Sequence, residues 1–204
     1  AGVPMQARAV FHGTPYGRRQ NWVNEPSLTG RLHCAKAAQP PTRNQQLFDQ
    51  LQQVATQYLA ENHVVNDAAI REYVQSLQQI RLAEFTEWMA QLAQWPAIVN
   101  LPSLAKFYGG RVIEAMAAGR PVISWDIPGH PKNRSLFEAE KEILLFPQDD
   151  PHALASQIDR VLQDHTFAES LSQRAQYKVR RSHTAERRLP GTLEWVRTGQ
   201  TPDY

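Results

Sequence analysis

Gly109-Gly-Arg-Val-Ile-Glu-Ala-Met-Ala-Ala-Gly-Arg-Pro-Val-Ile-Ser-Trp125 contains a helix together with the signals that stop it. Arg111 to Ala118 is rich in strong helix formers, Gly119 is placed to end the helix in a left-handed cap, and Pro121 blocks its continuation. Upstream, Ala97 to Leu101 reads as a short buried strand, and downstream Val122 to Trp125 reads as another. Strand, glycine-bearing loop, helix and strand make a βαβ unit. In such a unit the helix begins beside the carboxyl ends of the strands, in the crevice where ligands bind.

That placement suits an anion. The first amides of the helix, those of Gly110, Arg111 and Val112, have no intrahelical acceptor and point outward. Gly109 and Gly110 let the backbone approach a phosphate, Arg111 adds a fixed positive charge, and Glu114 stands one turn further in, where it can accept hydrogen bonds from sugar hydroxyls. Together these groups suit a nucleoside diphosphate. By spacing alone, Arg111 and Glu114 more often describe an ordinary ion pair on an exposed helix than a ligand site.

A resemblance weighs between the two. Gly110 to Trp125 resembles the R-x-x-E-A-x-A-x-G-x-P-x-I signature of the group 1 glycosyltransferases, in the donor-binding, C-terminal half of their GT-B fold. The similarity continues to Arg187: Lys141-Glu-Ile-Leu-Leu-Phe146 is similar to the family's E-x-L-x-F strand, Asp149-Asp-Pro-His-Ala-Leu154 to its D-x-x-x-L helix start, and Ser182-His-Thr-Ala-Glu-Arg187 to its closing H-T-x-x-x-R. The resemblance implies a Rossmann-like parallel sheet flanked by helices, transfer of a hexosyl group from a UDP- or GDP-linked sugar, and no resident cofactor. It also implies an N-terminal acceptor-binding half, for which 204 residues leave no room.

The same resemblance covers the start of the chain. Arg8 to His12 reads as a strand, Gly13-Thr-Pro-Tyr-Gly17 as a turn, and Arg18 to Val23 as a short helix. In the family a G-T/S-x-x-x-x-R loop here brings its backbone and basic residues to the diphosphate, so the resemblance makes Gly13, Thr14, Arg18 and Arg19 candidates; read locally, they are as readily an ordinary turn and two solvated arginines. Leu32 to Ala35 is the next strand. Asp126 and His130, in the loop after Val122 to Trp125, are candidate contacts for the donor sugar. Lys106 joins them by position: retaining members carry a glutamate eight residues before the one matched by Glu114, and a lysine cannot accept its hydrogen bonds.

Between these segments lies an expected helical elaboration, 44–95, within a single domain spanning 1–204. Asn44 caps a helix whose Leu47, Phe48, Leu51, Val54, Ala55, Tyr58 and Leu59 recur at helical spacing. Asn66-Asp67 caps another, with Ile70, Tyr73, Val74, Leu77, Ile80, Phe85, Trp88 and Met89 as its core face up to Pro96. Towards the C-terminus, residues 132–139 read as a helix, Ile143 to Phe146 as a strand, and Asp150-Pro151 as a cap followed by proline at the first helical position. Two amphipathic helices follow. Thr184 then caps a last one, in a segment 182–204, which Pro190-Gly191 should kink or divide.

Composition excludes several other classes. A net charge of +2 with scattered basic residues argues against nucleic-acid binding, and the single cysteine, Cys34, rules out an internal disulfide and a cysteine metal cluster. Neither is there a His/Asp/Glu group at metal-ligand spacing, so metal-independent chemistry is expected. No apolar run approaches the roughly 20 residues of a membrane span. A soluble, cytoplasmic protein is therefore expected, with peripheral membrane association left open. Two alternatives stand beside the enzyme: a non-catalytic interaction domain on the same fold, suggested by Lys106 and the Gln-rich helices, and a dinucleotide-binding enzyme, disfavoured because no G-x-G-x-x-G follows the first strand.

Overall fold

The computed structural model describes residues 6–35, 49, 52–53, 56, 67–104 and 106–201. The chain divides into two compact units, Ala1–Lys36 with Leu92–Tyr204, and Ala37–Gln91. The first unit holds a sheet of five strands, β1 (Ala9–His12), β2 (Leu32–Ala35), β3 (Ile98–Asn100), β4 (Val122–Trp125) and β5 (Leu144–Phe146). All pairings are parallel and the order is β2-β1-β3-β4-β5. The order reverses between β1 and β3, so the crevice for a ligand lies outside their carboxyl ends.

A parallel sheet is covered on both faces, and the strands here show it: every residue of β1 and of β4 is buried. On one face Phe11, Val99, Ile123, Trp125, Leu144 and Phe146 form a core with Trp22, Leu28, Leu154 and Ile158. These come from α1 (Arg18–Val23), a 3-10 turn (Pro26–Leu28) and the helix that follows β5. Between β3 and β4 runs the expected helix, Gly110–Ala117, which buries Val112, Ala115 and Met116. Its end is the predicted left-handed glycine: Gly119 has φ 69, its N–H donates to the Met116 carbonyl, and that of Arg120 reaches back to Ala115.

Within the second unit, the helix Asp67–Leu92 supplies most of what is described. We number it α2, and Gly110–Ala117 α3. Its expected core face is only partly buried. Ile80 is covered, whereas Val74 and Phe85 are 43% and 49% exposed, because helical spacing of apolar residues states which side chains share a face and not whether that face is covered. The preceding expected helix, Asn44 to Leu59, lies outside the described residues apart from Asp49, Gln52, Gln53 and Thr56, which are helical.

After β4 comes α4 (Pro131–Leu136), shorter than the expected 132–139 because Phe137 is already extended. Asp150 caps α5 (Pro151–Gln163) through its carboxylate, which accepts from the Ala153 N–H at 2.9 Å. Helix α6 (His165–Ser182) packs against α3 and α5. The last helix, α7 (Ala185–Thr198), has Thr184 at its N-cap as expected, without a side-chain bond, but it is not divided at Pro190. Proline removes one helical donor, in a helix that has no buried residue.

Candidate functional site

A cavity of about 280 Å³ opens at the carboxyl ends of β1 and β3, where the strand order reverses. Its floor is Phe11, Ile98, Val99 and Val122; its rim carries Tyr16, Arg19, Asn100, Ser103, Phe107 and the start of α3, Gly109 to Val112. Among the described residues, no carboxylate lines it. Arg19, Arg111 and His12 do.

Arg19 stands on the first turn of α1, and its packing fixes its fork. The guanidinium lies over the ring of Tyr16, 4.9 Å from the centroid, and over Phe11 at 5.3 Å. Its Nε donates to the Pro102 carbonyl at 3.1 Å. Burial pushes its pKa down, with Tyr16 opposing and the neighbouring charge of Arg111 adding to the fall. An arginine stays ionised regardless, so two like charges are held near each other, with no acid among the described residues of the cavity lining.

Arg111 reaches the opposite wall. Its Nη1 donates to the backbone carbonyl of His12, which pins the end of β1 to the first turn of α3. A Cβ on Gly13 would stand 2.6 Å from Arg111 Nη1 and 2.8 Å from Phe11 Cζ, so these side-chain ends would have to shift to admit one. His12 is buried with its pKa lowered to about 4, first by desolvation, then by Arg111 and His33. At neutral pH the site's positive charge is therefore that of its two arginines.

The helix start departs from expectation in one respect. Val112 is not a free donor: its N–H closes on the Gly109 carbonyl at 3.0 Å, tightening the first turn. The amides of Gly110 and Arg111 make no such bond among the described residues. At Gly109 a Cβ would meet nothing within 4 Å, so open space stands over the backbone there. The Glu114 carboxylate turns back towards Gly110, with Oε1 3.2 Å from where a Cβ of that glycine would be.

Among the sequence-derived candidates, Arg19, Gly109, Gly110, Arg111 and Val112 line one cavity, with Gly13 against Arg111 and Glu114 beside Gly110. Others lie outside the cavity lining. Thr14 is exposed, and Arg18 faces Asp149 across the surface at 3.8 Å. Lys106 is exposed, and what is held there is its carbonyl, by Asn133. Asp126 is half-buried with its N–H bonded to the Phe146 carbonyl, and His130 is an exposed residue at the start of α4. Sequence reasoning passed over Tyr16, Phe107, Asn100 and Ser103. Asn100 carried a usable signal, since it is a polar residue at the carboxyl end of a buried strand, where it donates to Ser124 Oγ at 2.9 Å. No group of three or more potential metal ligands occurs among the described residues, and no helix there is long and apolar enough to cross a membrane.

The sequence and the fold both resemble those of known proteins. A family profile described as Glycosyl transferases group 1 matches residues 31–164. Among solved structures, HepE of Anabaena in complex with UDP and glucose superposes with a TM-score of 0.55 at 14% identity, over 94% of this chain and 49% of that one. Sucrose-phosphate synthase from Thermosynechococcus elongatus gives 0.56 at 19% identity, over 96% and 47%. A glycosyltransferase from Rickettsia africae gives 0.55 at 16%, over 94% and 48%. At these identities the likeness is one of fold, and the chain spans about half the length of each of these three structures. A search of curated proteins finds no match.

Proposed function

We propose, for a chain that belongs to the group 1 glycosyl transferases, the role of the half that binds the nucleotide-linked sugar donor. The observation that carries this reading is the convergence of Arg19, Arg111 and the start of α3 on one cavity at the reversal point of the sheet. Pyrophosphate needs such a place. Two planar guanidinium forks and the first amides of a helix offer charge-assisted hydrogen bonds to its oxygens.

The reaction served is hexosyl transfer to an acceptor. The bond between the anomeric carbon and a phosphate oxygen breaks, the electron pair stays with the diphosphate, and the growing charge falls where the arginines and helix start lie. Donors fixed in place before the reaction stabilise that charge without reorganising. We propose that they do so in place of a divalent ion. UDP and GDP are the nucleotides to test, and the UDP complexes of HepE among the matched folds support starting with UDP. The acceptor half, and with it full turnover, is proposed to belong to a partner domain, consistent with this chain covering 49% of HepE.

The test is binding. UDP or GDP raises the melting temperature of the chain, and Arg111→Ala removes the rise. A second reading rests on the exposed Leu189, Leu193, Trp195 and Val196 of α7, together with Lys106 in place of glutamate: a non-catalytic interaction domain on the same fold. That reading predicts no nucleotide effect at all.

A further inference from the structure

The loop 102–109 between β3 and α3 carries Ser103, Phe107 and Gly109 into the cavity, yet it has no regular secondary structure, and its Leu104 and Phe107 are 90% and 58% exposed. A segment with so few buried contacts takes its position from whatever holds it at the ends and in the middle. Its first residue is held by Arg19, through the Pro102 carbonyl. Two further holds come from α4 and its C-cap.

Asn133, on α4, donates from Nδ2 to the backbone carbonyl of Lys106 at 3.1 Å. Phe137, the C-cap of that helix, lies with its ring 6.0 Å from the ring of Tyr108, inclined at 55°. The phenyl ring is itself immobilised: it is 2% exposed, and its other neighbour is the His183 ring at 4.9 Å. His183 in turn is held at Nδ1 by Arg188 of α7. Thus a six-residue helix, anchored at one end on the junction of α6 and α7, grips the middle and the end of the loop from which α3 begins.

We infer that α4 acts as a splint for the ligand loop, with Asn133 and Phe137 as positioning residues that set where the Gly109–Gly110 backbone meets the ligand. The inference rests on the reading of the cavity as a nucleoside diphosphate site. Asn133 acts through the loop and touches no ligand. The bond it makes is to a carbonyl, so it works whatever side chain stands at 106, and it ties the loop at the position where the family's glutamate is replaced by Lys106.

The experiment measures UDP and GDP binding by titration calorimetry alongside amide hydrogen exchange of residues 101–109 in the unliganded chain. Asn133→Ala and Asn133→Asp both lack the donor; each should weaken binding by about tenfold, the scale of one lost hydrogen bond, and speed exchange across the loop. Melting temperatures should stay within about 2 °C of the parent, since Asn133 is not in the core. Asn133→Gln, which keeps an amide donor, should recover part of both effects. Phe137→Leu is a second variant, read on the same two measurements if it folds. Unchanged exchange in Asn133→Ala overturns the inference whether or not nucleotide binds, and unchanged affinity with faster exchange overturns it as well. Failure of the parent chain to bind either nucleotide counts against the donor-site reading instead, while the exchange result still decides the splint.

Discussion

Arg111 of α3 donates its guanidinium to the backbone carbonyl of His12 at the end of β1, so one arginine closes the two sides of the cavity on each other. The sheet reverses order between β1 and β3, and this bond spans that break. Arg111 therefore has two tasks, holding the wall and offering its remaining N–H groups to an anion. Arg111→Lys should fail at the first, since an ammonium lacks the planar fork, and should lose nucleotide affinity almost as fully as Arg111→Ala. Titration calorimetry with UDP checks this; parent-like binding by the lysine variant would remove the geometric role.

Gly13 leaves room for the same contact. In Gly13→Ala the new methyl would overlap Arg111 Nη1 and Phe11 Cζ, at 2.6 and 2.8 Å. Overpacking of this kind costs about 1–3 kcal/mol. The double variant Gly13→Ala/Arg111→Ala should lose less than the sum of the two single variants, because one of the two overlaps has gone. Urea denaturation of the four proteins gives the coupling.

Adjacent arginines should behave differently. Arg18 has 73% of its side chain exposed and faces Asp149 at 3.8 Å, a distance and setting in which ion pairs contribute little. Arg19 is stacked between Tyr16 and Phe11 and bonded to Pro102. Arg19→Ala is expected to weaken nucleotide binding at least about tenfold, and Arg18→Ala by no more than about twofold. Equal effects would show that the cavity does not select between them.

Two buried histidines set a pH dependence. Burial, then Arg111 and His33, hold His12 at about 4, and burial, then Arg188 and Lys178, hold His183 at about 4, with a Leu136 backbone hydrogen bond pulling the other way. Their ordinary value is 6.5. Between these limits the unfolded chain binds more protons than the folded one, so stability is greatest above the ordinary value and falls as pH drops towards 4. By pH 5 each contributes up to about 2 kcal/mol of loss relative to pH 7. Melting curves over that range should show the decline, and His183→Gln should flatten it. An unaltered slope in that variant would assign the decline to other groups.

The βαβ frame was legible because its punctuation is local. Gly119 with Pro121, and Asp150 with Pro151, announce their caps from neighbouring residues alone, and the structure has both. What escaped the sequence depends on distant partners. Nothing near Arg111 says that it turns back to His12, nothing near Gly109 says that its carbonyl takes the Val112 amide, and Tyr16 and Phe107 reach the cavity only through the folding of their loops. Pro190 misled for the opposite reason. A local rule predicted a break, but a helix with no buried residue tolerates the lost bond.

The most direct test of the account is titration of the unmodified chain with UDP and with GDP, repeated with Arg19→Ala and Arg111→Ala. The account predicts saturable binding of at least one nucleotide, weakened about tenfold or more in both variants. Absence of binding to either nucleotide, or binding indifferent to both arginines, would contradict it.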